Sequence, residues 1–170
     1  MAAKLNLLRV AIVLLVAAAG FAGWAGWYWL AAAGDEAVGY AEARDDVLRA
    51  GRAHVAELTT LDYHDVDAGI ARWLSVSTGP LHDRLARTDE QTKSRLRQGA
   101  TVATGTVLDA AVSELDQRAG TAKLLVSVEI TTARAGAEPA TKRNRFIASL
   151  ARTGAEWKLS ALDQVPFGAS

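Results

Sequence analysis

The 170-residue chain contains no cysteine. That absence excludes disulfides, thiolate catalysis and cysteine-ligated metals. A domain of this chain held outside the cytoplasm would therefore have to be stabilised by its core alone. Nor is there a surplus of charge of one sign: 19 Lys and Arg balance 19 Asp and Glu. Nucleic-acid binding rests on counterion release by a cationic surplus, so nucleic acid is not an expected partner. The common catalytic signatures are missing as well. No HExxH pair, GxSxG elbow, Walker loop or Rossmann glycine fingerprint occurs. No Pro/Gly/Ser linker, internal repeat or low-complexity tail interrupts the chain. Its length suits one domain plus one anchor.

A further absence is local. From Val10 to Gly34 no residue is charged. As a helix this run is long enough to cross a hydrocarbon core about 30 Å thick with some tilt. Lys4 and Arg9 precede it, and Asp35 and Glu36 follow it. The positive-inside rule then puts Met1 in the cytoplasm and Ser170 outside. Trp24, Trp27, Tyr28 and Trp29 cluster at the outer end, where amphipathic rings prefer the interface. Gly20, Gly23 and Gly26 offer small residues to a neighbouring helix but form no GxxxG pair with each other. A cleaved signal peptide is the competing reading, with Ala31-Ala32-Ala33 as cleavage-type residues. Secretory apolar cores run only about 7–15 residues, so an uncleaved anchor is expected. The expected organisation is a cytoplasmic N-terminus over 1–9, a transmembrane helix over 10–33 and an extracytoplasmic domain over 34–170. The protein is then expected in the cell membrane, with the lipid bilayer as its first partner.

Beyond the anchor the pattern is helical, then alternating. Asp35 to Thr60 reads as a helix that continues the anchor or restarts after Gly34, with Val47, Leu48, Gly51, Val55 and Leu58 as its apolar stripe. Arg44, Asp45, Arg49 and Arg52 are its expected wet side. A second helix is signalled by Asp62 or Asp65 as N-cap and by Val66, Ile70, Trp73 and Leu74, with Gly79 as its stop. Pro80 then opens a third helix over Leu81–Gln98, carrying a thin stripe of Leu81, Leu85 and Leu96. Strands are expected over Thr101–Leu115, Thr121–Thr132, Asn144–Arg152 and Glu156–Leu162. Their inward faces are Leu124, Val126, Val128 and Ile130 on the second, Phe146, Ala148 and Leu150 on the third, and Trp157, Leu159 and Ala161 on the fourth. Short turns at Asp116–Gly120 and Thr153-Gly154 imply an antiparallel meander. Helices first and strands after give an α+β domain, with helices packed on one face of a curved antiparallel sheet.

The densest polar group is Asp62-Tyr63-His64-Asp65-Val66-Asp67. Its spacing does not match a calcium-binding loop. Helix capping by the aspartates is the simpler reading. No metal or cofactor is expected. The histidines His54, His64 and His82 fall in no catalytic pattern. Arg95 and Arg97, and Lys142, Arg143 and Arg145, read as solvated faces. The segment around Leu61, Tyr63 and Trp73 carries the most apolar bulk outside the strands and is the candidate partner surface.

The chain resembles the Mce-associated (mammalian cell entry) membrane proteins. The likeness is carried by the anchor, Leu58-Thr59-Thr60-Leu61-Asp62-Tyr63, Asp65-Val66-Asp67, Ser77-Thr78-Gly79, Gly105-Thr106-Val107, Ala110-Ala111-Val112 and Trp157-Lys158-Leu159-Ser160. The resemblance implies a cystatin-like or nuclear transport factor 2-like cone. It also implies an accessory subunit that works with Mce subunits and their permease in lipid or sterol import, without catalytic residues. Three alternatives stand beside it. One is an anchored scaffold of a secretion-type assembly, which shares the layout of one anchor and one cystatin-like outer domain. Another is a small-molecule isomerase or dehydratase on the same fold, with Asp62, Tyr63 and His64 as the first candidates. The last is a domain whose cavity takes a lipid ligand.

Overall fold

The computed structural model describes residues 2–134 and 136–165, with side chains described from residue 20 onward except at 25 and 28–36. Two units divide the chain, Met1–Glu42 and Ala43–Ser170. Helix α1 runs from Ala2 to Leu58, so the uncharged run and the helix expected after it fall in one helical element. The described part of the first unit is helix throughout.

In the second unit the last turns of α1 carry the expected stripe. Val47 and Val55 are fully buried, and Leu48, Ala50 and Leu58 pack against the same core. Gly51 lets the helix approach the sheet: a Cβ there would fall 2.4 Å from Leu124 Cδ2. The helix ends at two threonines that donate to its last carbonyls, Thr59 to Val55 O and Thr60 to Ala56 O, each at 2.8 Å. Val55 O also accepts the Thr59 N–H at 3.1 Å, so the hydroxyls reinforce the last turn, where intrahelical donors run out.

Strand β1 (Leu61–Asp62) and a 3-10 turn (Tyr63–Asp65) lead into α2 (Val66–Ser75). Both aspartates act as caps: Asp62 accepts from His64 N at 2.9 Å, and Asp65 from Ala68 N at 3.3 Å. Helix α2 closes at Val76 rather than at Gly79. Gly79, with φ +55°, instead begins α3 (Gly79–Ala86) after Thr78, with Pro80 in the first turn. The single third helix expected over 81–98 is two helices. Thr88 Oγ1 donates back to Leu85 O at 2.7 Å, and Asp89 opens α4 (Glu90–Gln98) by accepting from Thr92 N at 2.8 Å. The thin leucine stripe gave no reason to bury a continuous helix, and local capping at Thr88 and Asp89 decided the break.

The strands β2 (Thr101–Asp116), β3 (Thr121–Arg134), β4 (Ala140–Thr153) and β5 (Glu156–Gln164) complete a five-stranded antiparallel sheet in chain order, β1 to β5. Each strand extends one or more residues beyond its expected span. Strand β1 was not anticipated, because two residues show no alternation. Irregularities interrupt the β2 ladder between Val107 and Asp109 and between Val112 and Glu114, and the β4 ladder between Ser149 and Leu150. Such bulges bend and twist the sheet. The last one shifts the face of β5: Leu150 pairs with Leu159 but Ser149 with Ala161, so Leu162 rather than Ala161 packs on the core.

The core lies between α1, α3 and one sheet face. Leu124, Val126, Val128, Ala148, Leu150, Trp157 and Leu159 from the strands meet Val47, Val55 and Leu81 from the helices. This is the α+β architecture of the nuclear transport factor 2-like type: helices on one face of a curved antiparallel sheet.

Candidate functional site

The candidate surface is built where α1 stops. Leu61 pairs with Ala103 of β2, and its side chain lies on Gly69 of α2, where a Cβ would come within 2.4 Å of Leu61 Cδ1. Trp73, from the far end of α2, turns its ring back. Its Nε1 donates to both Glu57 O and Thr60 O at 3.1 Å. Arg72 Nε adds an ion pair to Glu57 at 2.6 Å. Leu61 and Trp73 therefore join β1 and α2 to the end of α1. Tyr63 is half-buried, and its ring centroid lies 3.8 Å from that of exposed His64. His64 Nδ1 sits 2.7 Å from Asp62 Oδ1. The backbone N–H of His64, then its ring, hold the Asp62 carboxyl below the usual carboxylate range.

Asp62, Tyr63 and His64 are thus neighbours, but none of them lines either of the two best-formed grooves. The Asp62 and His64 side chains are 46% and 65% exposed. Those two grooves, of about 270 Å³ and 350 Å³, lie elsewhere. One is lined by residues including Asp109, Leu125, Arg145 and Phe146, the other by Glu114, Lys123 and Ser160. Neither is lined by a helix residue. Where α1 crosses the sheet, Gly51 lies close against Leu124. Among the described residues no group of three His, Asp or Glu is placed to hold a metal. His54 differs from the other histidines: its Nδ1 is buried without a hydrogen-bond partner. Burial lowers its pKa from the ordinary 6.5, nearby Glu156 opposes that shift and Lys158 adds to it.

Sequence reasoning missed an ionic cluster. Asp67 Oδ1 accepts from Lys93 at 2.8 Å, and Asp67 Oδ2 from Arg97 at 2.5 Å. Glu90 lies 3.1 Å from Lys93 and 3.5 Å from Arg97. Asp67 is 26 and 30 residues from these partners in sequence, and no local pattern announces the pairing.

Of the expected anchor residues, Trp24 and Trp27 are 66% and 79% exposed. Phe21 lies beside Trp24 with ring centroids 6.3 Å apart. The side chains of Lys4, Arg9, Tyr28 and Trp29 fall outside the described residues. Among the described residues no helix is long and apolar enough to cross a membrane. Most side chains of the 10–33 run lie outside that description.

Several solved structures share the fold. An IcmL-like type IV secretion system protein from Legionella pneumophila superposes with a TM-score of 0.59 at 8% identity, over 75% of this chain and 95% of that one. The periplasmic domain of DotI gives 0.58 at 10% identity, over 71% and 94%. CagV from Helicobacter pylori, a VirB8 homolog of a type IV secretion system, gives 0.55 at 10% identity, over 73% and 99%. At these identities the likeness is one of fold. No curated protein matches the chain in sequence. A sequence family does match, over residues 5–166. With nearly its whole length covered, the chain belongs to the family described as "Uncharacterized protein Rv1363c/MT1408-like".

Proposed function

We propose that this protein is a non-catalytic, membrane-anchored assembly subunit of a multiprotein complex in the cell envelope. Residues 1–9 are cytoplasmic, 10–33 cross the membrane and 34–170 stand outside. The observation that carries this reading is the shared fold. The likeness spans 94–99% of the DotI and CagV chains, one named as a periplasmic domain and the other as a homolog of a secretion-system component. The uncharged run from Val10 to Gly34 supplies the anchor. The exposure of Asp62 and His64, away from both grooves, argues against the isomerase or dehydratase alternative. An acid–base pair in such an enzyme needs a substrate held against it and water kept out.

The finer reading is an accessory or stabilising subunit of an Mce-type lipid or sterol importer, contacting Mce subunits and their permease. It is supported by the run of motifs from Leu58-Thr59-Thr60 to Trp157-Lys158-Leu159-Ser160. A secretion-type scaffold is the second reading, favoured by the names of the structural neighbours. The partner contacts we assign to the anchor and to the surface around Leu61, Tyr63 and Trp73. Of these three, Tyr63 is the one not committed to joining α1 and α2.

The test is purification of the tagged full-length protein from gently solubilised membranes, with co-purifying proteins identified by mass spectrometry. Recovery of Mce subunits and their permease supports the finer reading. Recovery of secretion components replaces it with the scaffold. Recovery of the protein alone, with a bound lipid seen in native mass spectrometry, rejects the assembly reading in favour of a lipid-binding domain.

A further inference from the structure

Helix α4 is attached differently from the other helices of the domain. It has no buried residue, whereas α2 buries Val66, Gly69 and Ile70, and α3 buries Leu81. It lies against α2 and the 3-10 turn. Its described polar ties to α2 converge on one carboxylate: Asp67 takes Lys93 on one oxygen and Arg97 on the other. Glu90, from α4's own first turn, holds the same two cations in place. Both ends of the helix are joints. Arg87–Asp89 separate it from α3, and Ala100, with φ 45°, joins it to β2. A non-glycine residue in the left-handed region is uncommon and stays there only where the surroundings hold it. On the α2 side, Val66 and Ile70 are 1% and 6% exposed yet stand outside the cluster that joins α1 to the sheet.

We propose that α4 is an ionic latch, closed on α2 by Asp67 and opened when Lys93 and Arg97 are drawn away by competing ions, uncovering the part of α2 that carries Val66 and Ile70. The physical basis is the contrast in attachment. Burial of apolar surface is indifferent to salt at moderate concentration, whereas exposed ion pairs are screened over a Debye length of about 8 Å at physiological ionic strength. Asp67 is 60% exposed and Arg97 41%, so their pairing is open to that screening. An element held by such pairs opens at salt concentrations that leave the sheet and its core closed.

Hydrogen exchange read by mass spectrometry on the full-length chain in detergent micelles tests this. At low sodium chloride, Asp67→Asn is expected to exchange about five- to ten-fold faster than wild type over 90–98, the scale of losing a pair of exposed ionic contacts, with 66–75 following. Asp67→Glu, which keeps the carboxylate, stays close to wild type. Raising sodium chloride to about 0.5 M, where screening is strong, should speed the same peptides in wild type and add little in Asp67→Asn. Peptides from β3 and β4 should not change under either condition. The latch is overturned if 90–98 exchanges equally in wild type and Asp67→Asn. It is equally overturned if salt acts alike on both proteins, or if α4 opens only together with β3 and β4.

Discussion

Trp73 shows how one side chain can serve two elements. Its indole N–H reaches two carbonyls at the end of α1 from 13 and 16 residues away. Trp73→Phe keeps most of the ring but leaves both acceptors without this donor. A loss of about 1–3 kcal/mol is expected, read as a lower urea midpoint with an unchanged slope. Gly105 is a second such point. A Cβ there would fall 1.8 Å from Thr59 Oγ1 and 3.3 Å from the Thr59 carbonyl carbon. Because part of the obstacle is backbone, Gly105→Ala should destabilise by about 1–3 kcal/mol. His54 supplies a pH dependence. Its folded pKa lies below the ordinary 6.5, chiefly through burial, so the unfolded chain binds the extra proton as pH falls below that value. The stability it contributes is present above 6.5 and is lost as pH drops towards its folded pKa. His54→Gln should flatten the decline in urea midpoint between about pH 7 and pH 5. An unchanged slope would mean that other groups carry the dependence.

Among the elements, the contact of α1 with the sheet depends on a small residue in the helix. Glycine inside a helix costs about 1 kcal/mol relative to alanine. Here it admits Leu124, which is fully buried. Gly51→Ile should force the two apart and lower stability by about 1–3 kcal/mol in the same unfolding assay. The sheet's two edges are managed unequally. On β5, Thr78 N donates to Leu159 O at 2.8 Å and Leu159 N to Val76 O at 2.9 Å, so the segment before α3 covers that edge. On β2, strand β1 pairs only with Val102 and Ala103. Further along, two bulges and Asp109, which takes the N–H of Ala110 at 2.8 Å, blunt what remains. Bulges and charged side chains are common guards of open edges. Asp109→Val should therefore raise concentration-dependent self-association of the detergent-solubilised chain in sedimentation velocity. Much of this layer was legible in the sequence. The alternation of Leu124, Val126, Val128 and Ile130 named the inward face of β3 because side-chain period is intrinsic to a strand. The break between α3 and α4 was not legible, since propensity and a sparse leucine stripe do not fix where a helix stops.

For the whole molecule, the proposed anchor makes a topological prediction. Alkaline phosphatase fused after Ser170 should be active and a cytoplasmic-type fluorescent protein fused before Met1 should fluoresce, in a chain that keeps its full 18.0 kDa mass apart from the tags. A shortened chain would restore the signal-peptide reading. The candidate partner surface illustrates what a sequence list cannot rank. Leu61, Tyr63 and Trp73 were grouped by apolar bulk, yet Leu61 packs on Gly69 and Trp73 caps α1. Which apolar residues are consumed inside and which remain for a partner depends on neighbours distant in sequence.

The sequence by itself determined that helices precede the long strands, the meander of those strands, the inward faces of β3 and β4 and the caps at Asp62 and Asp65. All of these are written in local periodicity and in hydrogen bonds spanning a few residues. Only the tertiary structure decided the close approaches at Gly51 and Gly105, the role of Trp73, the isolation of Asp62, Tyr63 and His64 from the grooves, and the pairing of Asp67 with Lys93 and Arg97. Those contacts join residues separated by many positions in the chain, and their energies depend on distance and exposure, which the order of amino acids does not carry.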